Sequence, residues 1–359
     1  MHRTILSIAI LLSIDILPCI AENAPKHTYE TVRIGDGIAA FIASESNTDI
    51  VSGNSVAVIG DDGVLVVDST NFPSHARQMI AEIKRMTDQP VRFLVHTHWH
   101  MDHLLGDIEY RAAFPNITIV STAATKKAII ERDPKYLKTA DHLPEYAANL
   151  RKQVREGKDN DGKNLTEADR KYLTTFANSV DFAADEFRQA KLIPPDLTFD
   201  NHLTISLGKR EVEVLFLGRG NTAGDTVIFV PDSKVVMTGD LLVSPTPYSY
   251  GSFLTEWIQT LARVKALGAK VIVPGHGPVE YDYSYLDLVS SLLQSVVAQV
   301  QEAERQGLKL EVIRKKVDFS AFEKKFVGDD HDRQIAFQSG FIQPAVERAY
   351  QEAKFADEE

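Results

Sequence analysis

His96-Thr97-His98-Trp99-His100-Met101-Asp102-His103 is the stretch on which the reading of this chain turns. Four histidines and one aspartate within eight residues are too dense for accidental surface composition. Three of the histidines, at 96, 98 and 100, alternate directly after the apolar run Val91–Val95, which reads as a strand behind Pro90. Imidazole nitrogens and carboxylate oxygens are the donors that suit zinc and similar divalent ions. A lone histidine is more often a packed core residue, but a cluster at the C-terminal end of a strand points to a metal site.

Polar residues recur at comparable places along the chain. Asp68 ends the apolar run 64–67, and Asn221 lies in Gly218-Arg219-Gly220-Asn221-Thr222 after the run 212–217. Asp240 lies in Thr238-Gly239-Asp240 after 235–237, and His276 in Pro274-Gly275-His276-Gly277 after 271–273. If these strands share one sheet edge, the polar residues converge there, where α/β proteins usually build their sites.

The surrounding pattern is that of a layered α/β protein. Apolar runs 55–59 and 64–67 flank Asp61-Asp62-Gly63, a hairpin signal. Pro73-Ser74 opens a helix with Ala76, Met79, Ile80, Ile83 and Met86 at helical spacing. Further strands are expected at 203–207, 212–217, 226–230, 235–238 and 271–273, with a helix at 254–267. Residues 133–190 are charged and helical, and Thr166-Glu167-Ala168-Asp169 has capping-box spacing. This insertion reads either as a solvated helical hairpin or as a lid over a pocket. After Tyr285 the chain is helical, and Leu286, Val289, Leu293, Val296, Val297 and Val300 form a stripe expected to pack on the main domain.

A chain of 359 residues with 44% hydrophobic and 25% charged residues is ordinary globular material of about two domains. A net charge of -11 argues against binding to a nucleic-acid backbone, which depends on Lys and Arg neutralising phosphates. The basic Met1-His2-Arg3, the apolar run to Leu17 and the small residues up to Ala21 read as a secretory signal peptide over 1–21. The run is short for a membrane span and carries Asp15, so export to the periplasm or the medium is expected, with no membrane span left after processing. Cys19, the single cysteine, lies in that segment behind Pro18, a poor context for a lipid acceptor. Cleavage after Ala21 would leave a chain with no disulfide and no thiolate ligand.

His98-x-His100-x-Asp102-His103, with Asp68 upstream and Thr-Gly-Asp240 and Gly-His276-Gly downstream, resembles the metallo-β-lactamase superfamily over about residues 30–280. The resemblance implies a four-layer αββα sandwich over 27–283, with the helical insertion at 133–190 and a helical C-terminal extension over 284–359. It also implies a dinuclear zinc site, with other divalent ions as the alternative. His98 and His100 would bind the first ion, Asp102, His103 and His276 the second, with Asp240 bridging and Asp68 in support. The family usually has a histidine where this chain has Asn221, in Gly220-Asn221-Thr222-Ala223-Gly224-Asp225. An amide oxygen is a weaker zinc ligand than imidazole, so the first half-site is expected to be the weaker one. His96 is expected to support or pack rather than to ligate.

The activity implied is hydrolysis of a small cyclic or activated acyl substrate, a β-lactam, lactone or thioester, by metal-bound hydroxide, with Asp102 also moving protons. Two alternatives stay open: a phosphodiesterase, and a non-catalytic metal- or ligand-binding protein on the same scaffold. A di-iron redox enzyme ranks last, because no flavin-binding domain follows. The expected partner is a small molecule and not a nucleic acid, and the oligomeric state is left open. The loop Pro245-Thr246-Pro247-Tyr248-Ser249-Tyr250 reads equally as an aromatic pocket wall or as a plain turn with two exposed tyrosines.

Overall fold

The computed structural model describes residues 29–44 and 50–355; the expected signal segment with Cys19 lies outside them. Among the described residues a seven-stranded sheet runs in chain order through β1 (Tyr29–Gly35), β2 (Ile38–Ala43), β3 (Ser55–Gly60), β4 (Gly63–Val67), β5 (Val91–Val95), β6 (Thr118–Thr122) and β7 (Leu197–Phe199). Its first four strands are antiparallel and its last four parallel. A second sheet contains β8 (His202–Leu207), β9 (Arg210–Leu215), β10 (Val227–Val230), β11 (Val235–Val243) and β12 (Val271–His276) in the spatial order β12-β11-β10-β9-β8. The β3–β4 hairpin closes where expected, and Gly63 supplies the positive φ of the turn at 121°.

Side chains two apart on a strand share a face. Val56, Val58, Leu65, Val67, Val95 and Val120 of the first sheet therefore meet Ile205, Leu207, Val212, Val214, Ile228, Met237 and Val273 of the second in one core. The opposite face of the first sheet, with Ala57, Val64, Val66 and Leu94, packs under α1 (Pro73–Met86) and Tyr110 of α2 (Asp107–Ala113). On the far face of the second sheet, Val227, Val236 and Ile272 pack under the helices Leu254–Ala266 and Ser284–Arg305. Helix, sheet, sheet and helix thus form the four layers that the resemblance implied.

After α3 (Ala123–Glu131), the insertion carries the helices α4 (Asp133–Thr139), α5 (Leu143–Glu156) and α6 (Glu167–Gln189) with the connections between them. Gly157, at φ 71°, ends α5, and the Thr166–Asp169 capping box opens α6. The hairpin has a small core of its own in Ala147, Leu150, Ala177 and Val180. It is also anchored to the main body. Glu186 Oε2 accepts from Ser74 N at 2.8 Å, capping α1, and Phe72 packs against Phe182 and Phe187.

The second half carries α7 (Leu254–Ala266) between β11 and β12 and ends in the helices α8 (Ser284–Arg305), α9 (Leu310–Lys316), α10 (Ser320–Val327), α11 (His331–Ala336) and α12 (Gln343–Lys354). The apolar stripe of α8 is buried, as its spacing indicates. A π-helical turn, Phe337–Ile342, joins α11 to α12 and buries Phe337 and Phe341.

Two strands run further than the sequence reading has them: β12 continues through Pro274 and Gly275 to His276, and β11 extends to Val243. Asp240 was expected in a turn beyond the strand, but β11 continues through it. Gly239, at φ 51°, shifts the register against β12, and the strand then resumes. A Cβ at Gly239 would lie 2.5 Å from Cβ of Thr97, so glycine is required for this close approach as well as for the backbone.

Candidate metal centre

The site forms where β4, β5, β11 and β12 bring their ends together, and it is organised from Asp68 outward. Asp68 sits in the left-handed region at φ 54°, an unfavourable conformation for a non-glycine residue. Its backbone is held by Asp68 N donating to Val95 O at 3.0 Å and Ser55 Oγ donating to Asp68 O at 2.8 Å. The carboxylate accepts from Thr97 N at 2.8 Å and from Thr97 Oγ1 at 2.7 Å, and pairs with His103 Nδ1 at 2.9 Å.

These contacts set the histidine protonation pattern. The Thr97 hydroxyl has one proton, which goes to Asp68, so His98 Nδ1, 2.9 Å from that hydroxyl, must be the donor. His98 Nε2 then presents a lone pair. Burial pushes the His98 pKa down to about 4, which keeps the ring neutral, as a ligand must be. His103 reaches the site on a tight turn, Met101–His103, and is backed by Gly53, where a Cβ would lie 2.3 Å from His103 Cε1.

Two groups of donors result: His98, His100 and Asp240, and Asp102, His103 and His276, each with its ligand atoms within 4.8 Å of one another. Asp240 divides its oxygens between them. Oδ2 lies 3.3 Å from His98 Nε2 and 3.5 Å from His100 Nδ1, while Oδ1 lies 3.3 Å from His103 Nε2 and 3.5 Å from His276 Nε2. Asp102 Oδ2 closes the second group at 3.1 Å from His276 Nε2 and 3.5 Å from His103 Nε2.

Burial raises the pKa of Asp240 and of Asp102, but the neighbouring histidines outweigh it and hold both carboxyls below the ordinary range. Burial lowers the His103 pKa, and Asp102, Asp240 and Asp68 outweigh that, holding it well above the ordinary value. The cluster thus concentrates carboxylate charge around imidazoles.

The donor set fits divalent cations. Histidine nitrogens face one another, with His103 Nε2 and His276 Nε2 only 3.2 Å apart. Among the described residues, His98 Nε2, Asp240 Oδ1 and Asn221 Oδ1 are buried without a hydrogen bond. Buried polar atoms left this way are costly unless an ion or water meets them.

The other expected residues separate into different roles. His96 Nε2 turns to Asp107 Oδ2 at 2.9 Å, and Asp107 Oδ1 accepts from Ser69 Oγ at 2.6 Å; His96 belongs to neither donor group. Asn221 is buried after β9, and its Nδ2 donates to Tyr248 O at 2.8 Å. The Tyr248 ring stands edge-on to His100 at 5.9 Å, so one of the two exposed tyrosines does border the site. Trp99 packs against His100 at 4.6 Å, and Arg132 lies over its indole at 5.2 Å.

Sequence reasoning did not single out Thr97, Gly53, Gly275 or Asn54. Asn54 Nδ2 donates to Pro274 O at 3.0 Å and to Gly277 O at 2.9 Å, tying the His276 turn to the first sheet. The position of Thr97 between His96 and His98 was the available signal.

Comparison with known proteins bears on the family and the fold. The family model described as the Metallo-beta-lactamase superfamily matches residues 48–276. A linear primary-alkylsulfatase from a Pseudomonas species is 21% identical over 248 residues, covering 67% of this chain and 44% of that protein. A type 2 metallo-beta-lactamase from Bacteroides fragilis is 28% identical over 142 residues, covering 38% of this chain and 55% of that one. The chain therefore spans about half the length of these relatives that it matches. The solved structure of a metallo-beta-lactamase from Pontibacter korlensis shares the fold, with a TM-score of 0.51 at 22% identity, covering 74% of this chain and 99% of that one.

Proposed function

Because the chain belongs to the metallo-β-lactamase superfamily, we propose that it is a zinc-dependent hydrolase of a small cyclic or activated acyl substrate, a β-lactam, lactone or thioester. The observation that carries this reading is the division of the Asp240 oxygens between two donor groups, the arrangement expected of a bridging carboxylate. His98, His100 and Asp240 would hold one ion, and Asp102, His103, His276 and Asp240 the other. Bound ions of this kind lower the pKa of water and polarise the oxygen of the group under attack.

The protein's own contribution is placement and proton movement. His98 and His103 are oriented through Thr97 and Asp68, so their Nε2 atoms are aimed before substrate arrives. Asp102 is the carboxylate that solvent and substrate can reach: its side chain is 23% exposed, against 5% for Asp240 and 2% for Asp68. Asp102 therefore takes the proton of the attacking water and returns it to the leaving group.

The test is a panel of β-lactams, lactones, thioesters, phosphodiesters and a primary alkyl sulfate, assayed on zinc-loaded protein whose metal content is measured alongside. Turnover of an acyl class is the expected result. Turnover of only the phosphodiester or the sulfate, the latter suggested by the alkylsulfatase likeness, would move the chemistry to that ester. Stoichiometric metal with no turnover would favour the binding-only reading.

Export is part of the same proposal. Among the described residues no helix is long and apolar enough to cross a membrane. The intact mass of natively produced protein is expected to show loss of residues 1–21, and a full-length cytosolic chain would contradict it.

A further inference from the structure

Asn221 is held by one end of its amide. The carbonyl of Tyr248 can only accept a hydrogen bond, so the atom 2.8 Å from it must be the NH2 group, which fixes the orientation of the amide. Oδ1 is then the buried oxygen without a hydrogen bond. The loop that receives the NH2 group is held on its other side by the C-terminal extension. Ser249 N donates to Gly340 O at 3.0 Å and Ser249 Oγ to Phe341 O at 3.0 Å, both within the π-helical turn. Gly340 borders the tyrosine: a Cβ there would come into ordinary contact with Tyr248 Cδ2, at 3.5 Å. Between these supports the Tyr248 ring is set edge-on to His100 and 5.3 Å from Tyr250, with both tyrosines exposed at 38% and 51%.

We propose that Asn221 is a positioning residue that, together with the π-helical turn, holds Tyr248 as an aromatic wall beside the His98–His100 half-site, and that this wall selects substrates carrying a flat apolar substituent. Two aromatic rings beside a polar centre offer faces and edges to such a group, and a ring contact of this kind is worth up to about tenfold in affinity. The selectivity rests on the acyl-hydrolase reading for its substrate, whereas the positioning of the loop does not.

The first arm of the test uses metal-free protein and chymotrypsin, which cleaves after Tyr248 and Tyr250. Asn221→Asp, which loses the donor, and Ser249→Ala, which loses one contact to the extension, are expected to be nicked in this loop at least tenfold faster. Asn221→His, whose ring Nδ1 takes the place of the amide nitrogen, should stay within threefold of the parent. Unchanged nicking in both Asn221→Asp and Ser249→Ala overturns the positioning role, and the second variant decides the matter if the first fails to fold.

The second arm compares acetate with phenylacetate binding to zinc-loaded protein by calorimetry, and acetyl with phenylacetyl thioesters by kinetics. The parent should bind phenylacetate about tenfold tighter than acetate. Tyr248→Ala should erase that ratio and raise KM for the phenylacetyl thioester about tenfold more than for the acetyl thioester. Equal affinity for the two carboxylates in the parent overturns the wall. Retained preference for phenylacetate with no thioester turnover instead removes the acyl-hydrolase reading and leaves the wall standing.

Discussion

Replacing Gly275 by Ala adds one carbon and tests the bridging role of Asp240 without changing any donor. The new Cβ would lie 2.1 Å from Asp240 Oδ1, 2.7 Å from Gly239 C and 2.8 Å from Asp240 N, where ordinary contact begins at 3.4 Å. Gly275 does not have a positive φ, so alanine brings no backbone strain of its own and the effect is one of contact. Two of the three clashing atoms are backbone, so a rotamer change of Asp240 cannot relieve them. The paired strands β11 and β12 must part locally, at roughly 1–3 kcal/mol for an overpacked site. The oxygen must move by more than an ångström away from the new carbon, out of its present place 3.3 Å from His103 Nε2 and 3.5 Å from His276 Nε2. A misplacement of that size costs about 10²-fold in rate. Elemental analysis after gel filtration should find less than the parent's metal, together with lower activity and a lower Tm. Gly35→Ala, whose new carbon meets nothing nearer than 3.4 Å, serves as the control. Full metal content and parental activity in Gly275→Ala would show that Asp240 does not bridge.

Replacing both His98 and His100 with Ala should lower metal content and activity together, and retained activity at unchanged metal content would reassign the site. Asp225 is raised to about 7 by burial, against the hydrogen bonds from Thr222 that pull it down. A carboxyl whose folded pKa is raised gives up stability as pH climbs from its unfolded value towards the folded one, here on the order of 4 kcal/mol between about pH 4 and 7. Urea titrations of metal-free protein should show the parent losing stability relative to Asp225→Asn over that range, and parallel profiles would contradict it. Phe337, fully buried and stacked on Phe326 and Phe341 at 5.4 and 5.7 Å, should cost about 3–5 kcal/mol as Phe337→Ala; a change under 1 kcal/mol in denaturant titration would show that the extension is not packed as described.

What could be read from the sequence is what is local in it. His98, His100, Asp102 and His103 lie on one strand exit and one tight turn, so their spacing carries their geometry. The α8 stripe likewise announced burial, because helical periodicity is a property of eight or so neighbouring residues. The supports of the site are of another kind. Asn54 reaches Pro274 across 220 residues, Glu186 caps α1 across 112, and Ser249 is held by Phe341 across 92. No periodicity encodes such pairs, which depend on how the layers are stacked. The continuation of β11 through Asp240 was missed for a related reason. A glycine inside a strand pattern reads as a terminator unless the residue pressing on it, here Thr97 from the other sheet, is known.

Asp68 shows why the centre depends on more than its ligands. One carboxylate sets the orientation of a histidine in each half-site: His103 directly through Nδ1, and His98 through the Thr97 hydroxyl. If Thr97 kept its proton from Asp68, it could donate to His98 Nδ1, and the wrong nitrogen of that ring would carry the lone pair. The same residue occupies a left-handed conformation that an extended strand end would avoid, and it stays there because Val95 O and Ser55 Oγ hold its backbone from two neighbouring strands. Local strain of this kind persists only where the surroundings over-determine it. Here they do so at the point where releasing the strain would turn one carboxylate away from both half-sites at once, so the stability of the β3–β4–β5 edge and the aim of the two histidines are a single property of the fold.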